Sequence, residues 1–427
     1  MFDFDMLGLA PSLVKTLQMQ GFEQPTPIQN QAIPLALDGH DILGLAQTGT
    51  GKTMAFGLPL VHHLLQFHAR PGARKAHALI LAPTRELVNQ IAEALRTLTD
   101  NSPLRVTTVV GGQSINRQIG QLARGTDILV ATPGRLIDLM GRGAVDLGTV
   151  RHLVLDEADQ MLDLGFIHAL RRIAPALGTP RQTMLFSATM PSQMEELSRA
   201  YLVNPRRVQV SPPGKAADKV RQSVHFVGRT EKLAQLREIL ARDPQALTLV
   251  FSRTKHGAEK LMKLLVAEGV NAASIHGNKS QGQRDRAIAA FRAGRITTLV
   301  ATDVAARGID IPDVAYVVNF DLPEVPENYV HRIGRTARAG RSGEAIAFCA
   351  PGEANLLRQI EALMKREIPT ASGTRPAEAE PATRSRPRRR SGGGGGGGGK
   401  PAAPRGDAAT APGAGPARKR RRPRRAA

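Results

Sequence analysis

The chain has 427 residues, 41% of them hydrophobic, which is enough for two buried cores and an extension. It carries a net charge of +21 and a single cysteine, Cys349, so a disulfide framework is excluded and a polyanionic partner is indicated. No apolar run approaches the length of a membrane span.

The start, Met1-Phe2-Asp3-Phe4-Asp5, is acidic, unlike the basic head of a signal peptide, so a soluble cytoplasmic protein is expected. Residues 1–40 read as a helical prelude. A helix-like stretch from Ser12 to Gln20 is followed by Gly21–Gln29, where Pro25 and Pro27 fix a rigid turn. A second helix is expected from Ile28 to Leu37. From Asp41 the text alternates between apolar runs and amphipathic helices such as Arg85–Leu98 and Glu195–Tyr201. The runs are Asp41–Leu45, Ala78–Ala82, Val106–Val110, Ile128–Ala131, His152–Leu155 and Thr183–Ser187. Because they are continuously apolar, they predict strands buried on both faces, as in a doubly wound parallel sheet.

Alternation breaks in a Pro/Gly/Ala stretch near 211–219 and then resumes. Further strands are expected at Val224–Val227, Thr248–Phe251, Ala273–His276, Thr298–Ala301, Val314–Asn319 and Ala345–Cys349, with helices Lys255–Glu268 and Gln283–Arg292 between them. The expected organisation is therefore an α/β chain with domains at 1–210 and 220–368, a linker at 211–219 and a tail at 369–427. From Ala371 onward there are 15 Lys and Arg against 3 Asp and Glu, a net of +12. With eight glycines, Gly392 to Gly399, and few apolar residues, that tail is expected to be disordered.

Two stretches carry chemistry. Ala46-Gln47-Thr48-Gly49-Thr50-Gly51-Lys52-Thr53 lies between a strand-like and a helix-like run. Backbone N–H groups and a helix N-terminus converge there on an anion. Lys52 adds charge for the outer phosphates, and the Thr53 hydroxyl can ligand Mg2+. The general phosphate-loop pattern asks for glycine where this chain has Ala46. Asp156-Glu157-Ala158-Asp159 follows another strand, the expected place for the acidic partner of a Mg2+–nucleotide.

Together with Gly21–Gln29 and His331-Arg332-Ile333-Gly334-Arg335-Thr336-Ala337-Arg338, these stretches resemble the signature set of the DEAD-box RNA helicases over residues 1 to about 367. The basic tail and the wording around Gly277-Asn278-Lys279 resemble the bacterial RhlE-type branch. The resemblance implies two tandem RecA-like domains and an RNA-stimulated ATPase that unwinds short duplexes and remodels RNA–protein complexes, using ATP and Mg2+. By that resemblance Gln29 would read adenine, while Gln47, Thr48, Gly49, Thr50, Gly51, Lys52 and Thr53 would hold the phosphates. Thr53 and Asp156 would hold Mg2+, and Glu157 would position the attacking water. Phe4 either stacks on adenine or anchors the N-terminal helix. Ser187 and Thr189 would couple the nucleotide to RNA. Arg335 and Arg338 would act as arginine fingers, with Gly308 and Asp310 at the ribose. Ala337 stands where the family commonly has glycine, and little change is expected unless the backbone there needs a positive φ.

The RNA side implied by the resemblance comprises Pro83, Thr84, Arg85, Gly112, Thr132, Pro133, Gly134 and Arg135 on the first lobe, and Arg253, Gly277, Arg284 and Thr302 on the second. Such loops grip phosphates and not bases, so binding would be sequence-independent. The tail reads either as an electrostatic tether for RNA or as a solubilising appendage. Ribosome-assembly or RNA-decay complexes are the expected partners of a monomeric core. An ATP-gated RNA clamp and a DNA translocase use similar residues and stand as rival readings.

Overall fold

The computed structural model describes residues 4–46, 49–67, 69–210, 220–306, 314–337 and 343–375. Gln47, Thr48, Gly308, Asp310, Arg338, the 211–219 linker and everything after 375 lie outside the described residues. Each apolar run of the first half becomes a strand: β1 (Ile42–Leu45), β2 (Ala76–Leu81), β3 (Val106–Val109), β4 (Thr126–Ala131), β5 (His152–Leu155) and β6 (Gln182–Ser187). A seventh, β7 (Arg206–Gln209), adds to the edge beyond β1. The second half contributes β8 (Val220–Phe226), β9 (Leu247–Phe251), β10 (Ala272–Ile275), β11 (Thr298–Ala301), β12 (Val314–Asn319), β13 (Gly343–Cys349) and β14 (Thr370–Ser372).

Two seven-stranded sheets result, in the orders β3-β4-β2-β5-β6-β1-β7 and β10-β11-β9-β12-β13-β8-β14. Counted from the first strand of each half, the two orders are identical. The pairings are parallel, with β1 against β6 and β8 against β13 as examples. Both sheets belong to one compact unit, Met1–Ala377.

Burial explains why the strands read as continuous apolar runs. Successive residues of one strand point to opposite faces. Ile80, Val154 and Phe186 enter one apolar cluster with helices Pro11–Met19, Pro27–Leu37, Lys52–Gln66 and Arg85–Thr99. Leu79, Leu155 and Leu185 enter the opposite cluster with helices Pro133–Gly141 and Ser192–Tyr201. Cys349 is buried among the apolar residues of the second lobe, and burial pushes its thiol up to about 11. The second sheet also runs past the boundary expected at 368. β14 pairs with β8, and Arg375 is tied to Glu361 at 3.0 Å, so the tail begins later than composition implied. No helix among the described residues is long and apolar enough to cross a membrane.

Candidate nucleotide site and nucleic-acid cleft

β1 ends at Leu45, and the chain turns through Gly49 and Gly51 into helix Lys52–Gln66. Gly51 has φ +91, and a Cβ there would sit 2.5 Å from Gln29 Nε2 and 2.9 Å from Thr26 Oγ1. Only glycine fits this tight cradle. Gln29 is buried; its Nε2 donates to the Gly51 carbonyl at 3.0 Å and its Oε1 accepts from the Thr26 N–H at 2.9 Å. Thr26 Oγ1 and Lys52 Nζ are both buried without a hydrogen-bond partner among the described residues. Among the described residues the ammonium's one ion pair is with Asp156 Oδ1, at 3.5 Å. A donor surface with open valences at a helix N-terminus fits a phosphate chain, and a buried carboxylate with a nearby hydroxyl at Thr53 fits a hard cation.

Asp156 and Glu157 follow β5 and are each 2% exposed. Burial pushes the Asp156 carboxyl up to about 6, against the pull of Lys52. Burial also works against the Lys52 charge, but Asp156, Glu157 and Asp159 together hold its pKa above the ordinary lysine value. Glu157 adopts a left-handed backbone, φ 51 and ψ 50, at the head of helix Ala158–Asp163. Such a conformation costs a non-glycine residue about 1–2 kcal/mol. Asp159 Oδ2 accepts from Ala188 N, Thr189 N and Thr189 Oγ1 at 3.1, 3.0 and 3.0 Å, while Ser187 Oγ donates to the Thr189 carbonyl at 2.7 Å. From the other lobe, His331 Nε2 lies 4.0 Å from the same Asp159 oxygen.

A second cleft of about 450 Å³ opens beside this centre, lined by Pro83, Thr84, Arg85, Gly111, Thr132, Gly134 and Arg135 of the first lobe and by Arg284 and Val304 of the second. Thr84 caps helix Arg85–Thr99 by accepting from Leu87 N at 3.2 Å. Gly112 has φ +71, and a Cβ there would collide with Arg85 Nη1 at 2.0 Å. Arg85 reaches across to Gln281 Oε1 at 3.1 Å, and Arg284 pairs with Glu86 at 2.8 Å. Arg135 donates to the Gln113 carbonyl at 3.1 Å. Pro133 is buried at the first turn of its helix. Thr302 is buried, and Gly277 has open space where a Cβ would stand. Arg253 is exposed, and its Nη2 lies 2.5 Å from Glu353 and 3.1 Å from the Leu322 carbonyl.

Comparison with known proteins agrees with this geometry. Residues 26–197 match the DEAD/DEAH box helicase family and residues 231–340 the helicase conserved C-terminal domain. The DEAD-box ATP-dependent RNA helicase CshA of Bacillus licheniformis is 43% identical over 365 residues, 86% of this chain and 74% of that one. The chain belongs to the DEAD-box RNA helicases. The CshA protein of Bacillus subtilis is 42% identical, covering 86% of this chain and 73% of its own. Among solved structures, S. cerevisiae Dbp5 bound to RNA and ADP BeF3 is 32% identical over 87% of this chain and 95% of that one, with a TM-score of 0.76. Mss116p bound to ssRNA and AMP-PNP is 28% identical over 88% of this chain and 80% of that one, with a TM-score of 0.78.

In this DEAD-box helicase the packing of Arg332 and the apolar lining of the cleft had no signal in the sequence, whereas Ala337 and Phe4 did. Arg332, inside the His331–Arg338 stretch, is 2% exposed and chelates Asp303, with further bonds to Asn319 Oδ1 at 2.9 Å and the Asp321 carbonyl at 2.6 Å. It fixes the loop that carries Arg335, which is itself buried and lines a small pocket with Phe251 and Asp303. Ala337 has φ 54, so the condition under which its replacement of glycine matters is met. Phe4 is buried in the same apolar cluster as Leu13 and Ile33, the anchoring geometry of its two readings. Leu164, Phe166 and Val304 place apolar groups in an otherwise polar cleft.

Proposed function

We propose that this protein uses ATP to separate short RNA duplexes locally and to remodel RNA–protein complexes, with RNA-driven closure of the two lobes as the trigger for hydrolysis. The observation that carries the reading is the split site. A buried Lys52–Asp156 pair with open valences sits on one lobe, and from the other lobe His331, four residues before Arg335, comes within 4.0 Å of Asp159 in the same acidic loop. In this reading Gln29 holds the adenine edge, with Phe4 packing nearby, and Lys52 neutralises the outer phosphates. Thr53 and Asp156 would hold Mg2+, which supplies charge neutralisation on the phosphates when bound. Glu157 orients the attacking water and takes its proton. Arg335 and Arg338 complete the charge on the departing phosphate, so turnover waits for closure. The ribose contact is assigned to Gly308 and Asp310 on the family resemblance.

The link to RNA runs through Asp159. Its carboxylate is shared by Ala188 and Thr189, so a shift of the acidic loop on nucleotide binding pulls the Ser187–Thr189 turn with it. Backbone-gripping loops on both lobes then hold one strand in the cleft. Within the family we assign the RhlE-type branch on the Arg/Gly-rich tail and Gly277-Asn278-Lys279, against the CshA names of the relatives above; grouping of the two lobes with CshA sequences in a phylogeny would remove that assignment. A cytoplasmic, monomeric core acting on ribosome precursors or decay intermediates completes the proposal.

The test is ATPase stimulation by RNA and by DNA of equal length. Stimulation by RNA alone is expected, and equal stimulation would sink the RNA assignment. Glu157→Gln should retain ATP and trap the closed RNA complex, whereas normal turnover in that variant would exclude the role given to Glu157.

A further inference from the structure

The open edge of the first sheet carries a basic surface that the cleft does not include. Among the described residues β3 pairs only with β4, and no described strand covers its other edge. Against that edge lies a groove of about 670 Å³ whose lining includes Arg96, Arg105, Arg124, Thr107 and Thr108, with Asp100 as its one carboxylate. The three arginines come from three places: the last turn of helix Arg85–Thr99, the residue before β3, and the turn before β4. All three are exposed, and none of their guanidinium groups takes part in an ion pair among the described residues. The neighbouring Asp127 is buried, its Oδ2 accepts from the Arg105 backbone N–H at 2.8 Å, and among the described residues it makes no ion pair with the three guanidinium groups.

We propose that this groove is an accessory RNA site that takes the phosphodiester backbone of the strand beyond the main cleft. The inference rests on the RNA-helicase reading above and adds a second contact region to it. Charge selects the occupant, because three unpaired arginines and two threonine hydroxyls suit phosphate oxygens. Continuity supports it as well. β3 runs directly into Val110-Gly111, and Gly111 lines the main cleft. Val106 to Gly111 spans roughly 17 Å of extended chain, a distance that a few nucleotides of single strand can bridge. Edge charges also discourage strand-to-strand aggregation, but that role calls for charge on the strand itself, and Arg96 and Arg124 lie outside β3. A peptide adding as an extra strand would seek apolar pockets at alternate positions, and the groove offers it Leu104 and Val106.

The test uses the full chain with a non-hydrolysable ATP analogue and two RNAs: one just long enough to fill the cleft, the other about 20 nucleotides long. Arg96→Ala, Arg105→Ala and Arg124→Ala are combined, and Arg124→Glu is made separately in case the triple variant folds poorly. Binding is read by fluorescence anisotropy over a salt series. The short RNA should bind both variants as it binds the wild type. The long RNA should bind more weakly, and its salt slope should fall by about 2 in the triple variant, as expected when three phosphate contacts to a single strand are lost. Equal weakening on both RNAs, or no weakening on the long one, would overturn the proposal; the latter result would leave the edge to a peptide partner. A wild-type chain that failed to bind even the short RNA would instead strike the helicase reading itself.

Discussion

Lys52 and Lys232 hold the same place in two sheets of the same strand order, and they have opposite fates. Each is the first residue of the helix after its sheet's first strand, and each is buried, with side-chain exposures of 5% and 4%. Each lies near an aspartate after the equivalent strand, Asp156 after β5 and Asp321 after β12. Lys52 stops there. Lys232 also donates to the Phe320 carbonyl at 2.7 Å and to Glu353 at 2.8 Å, and Arg253 closes on the same glutamate. The aspartates follow suit. Burial pushes Asp156 up to about 6, whereas burial of Asp321 is outweighed by the Arg253 N–H, Lys232 and Ser252, which hold it below the usual carboxylate range. One lobe keeps a buried ammonium short of partners, and a phosphate can complete it. The other has filled the equivalent position with its own carboxylate, Glu353.

Replacing the two lysines is the most direct way to break the comparison. Lys52→Ala should reduce ATP turnover by on the order of 100-fold or more while the fold survives. Lys232→Ala should leave nucleotide affinity intact but destabilise the second lobe by about 3 kcal/mol, because Glu353 and Asp321 lose a buried counter-charge. Nucleotide titration and denaturant melts separate the two outcomes. A similar loss of ATP binding in both variants would end the distinction.

Acid should separate the lobes next. Burial lowers His152 from 6.5 to about 4, so between those values the unfolded chain binds a proton that the folded first lobe refuses. The His152 contribution should therefore cost the first lobe up to about 3 kcal/mol as pH drops from about 6.5 to about 4, opposed from about 6 downward by Asp156, whose raised carboxyl takes up a proton in the folded lobe. Glu259 in the second lobe is held down to about 2 by hydrogen bonds from Ser274, Lys279 and His276. Its contribution is present above about 4.5 and is lost only as pH falls from there toward 2. Thermal melts of the natural chain and of His152→Leu across pH isolate the histidine: the variant should gain stability relative to the natural chain as pH falls from about 6.5 to about 4.

The contact between the lobes is a smaller effect. Glu86 and Arg284 are 6% and 16% exposed and pair at 2.8 Å. A double-mutant cycle of Glu86→Ala and Arg284→Ala, read as the RNA concentration for half-maximal ATPase, should give a coupling of about 1–2 kcal/mol. Additive effects would mean that the pair does not contribute to closure. Smallest is Ala337→Gly, which relieves a positive φ and should stabilise the second lobe by about 1 kcal/mol or less, readable as a small rise in melting temperature.

The buried strands were legible because a parallel sheet covered on both faces needs uninterrupted apolar runs. β7 and β14 were not, for the converse reason. Arg206-Arg207-Val208-Gln209 buries only Val208, and Thr370-Ala371-Ser372 is polar and half open, so neither edge strand carries that signal. The nucleotide half-site was legible because its residues lie in short contiguous stretches. The cross-lobe pairs were not, because Glu86 and Arg284 are neighbours only once two separately folded sheets have docked.

Glu157 remains, with its left-handed backbone at the head of a helix. Glycine would suit that backbone better, so Glu157→Gly should melt at a higher temperature than the natural chain while losing turnover. Heat resistance and chemistry thus pull in opposite directions at this one residue. A selection that rewarded only survival of the fold would replace Glu157 first, and a consensus drawn from inactive, hardened variants would misname the proposed general base as a defect.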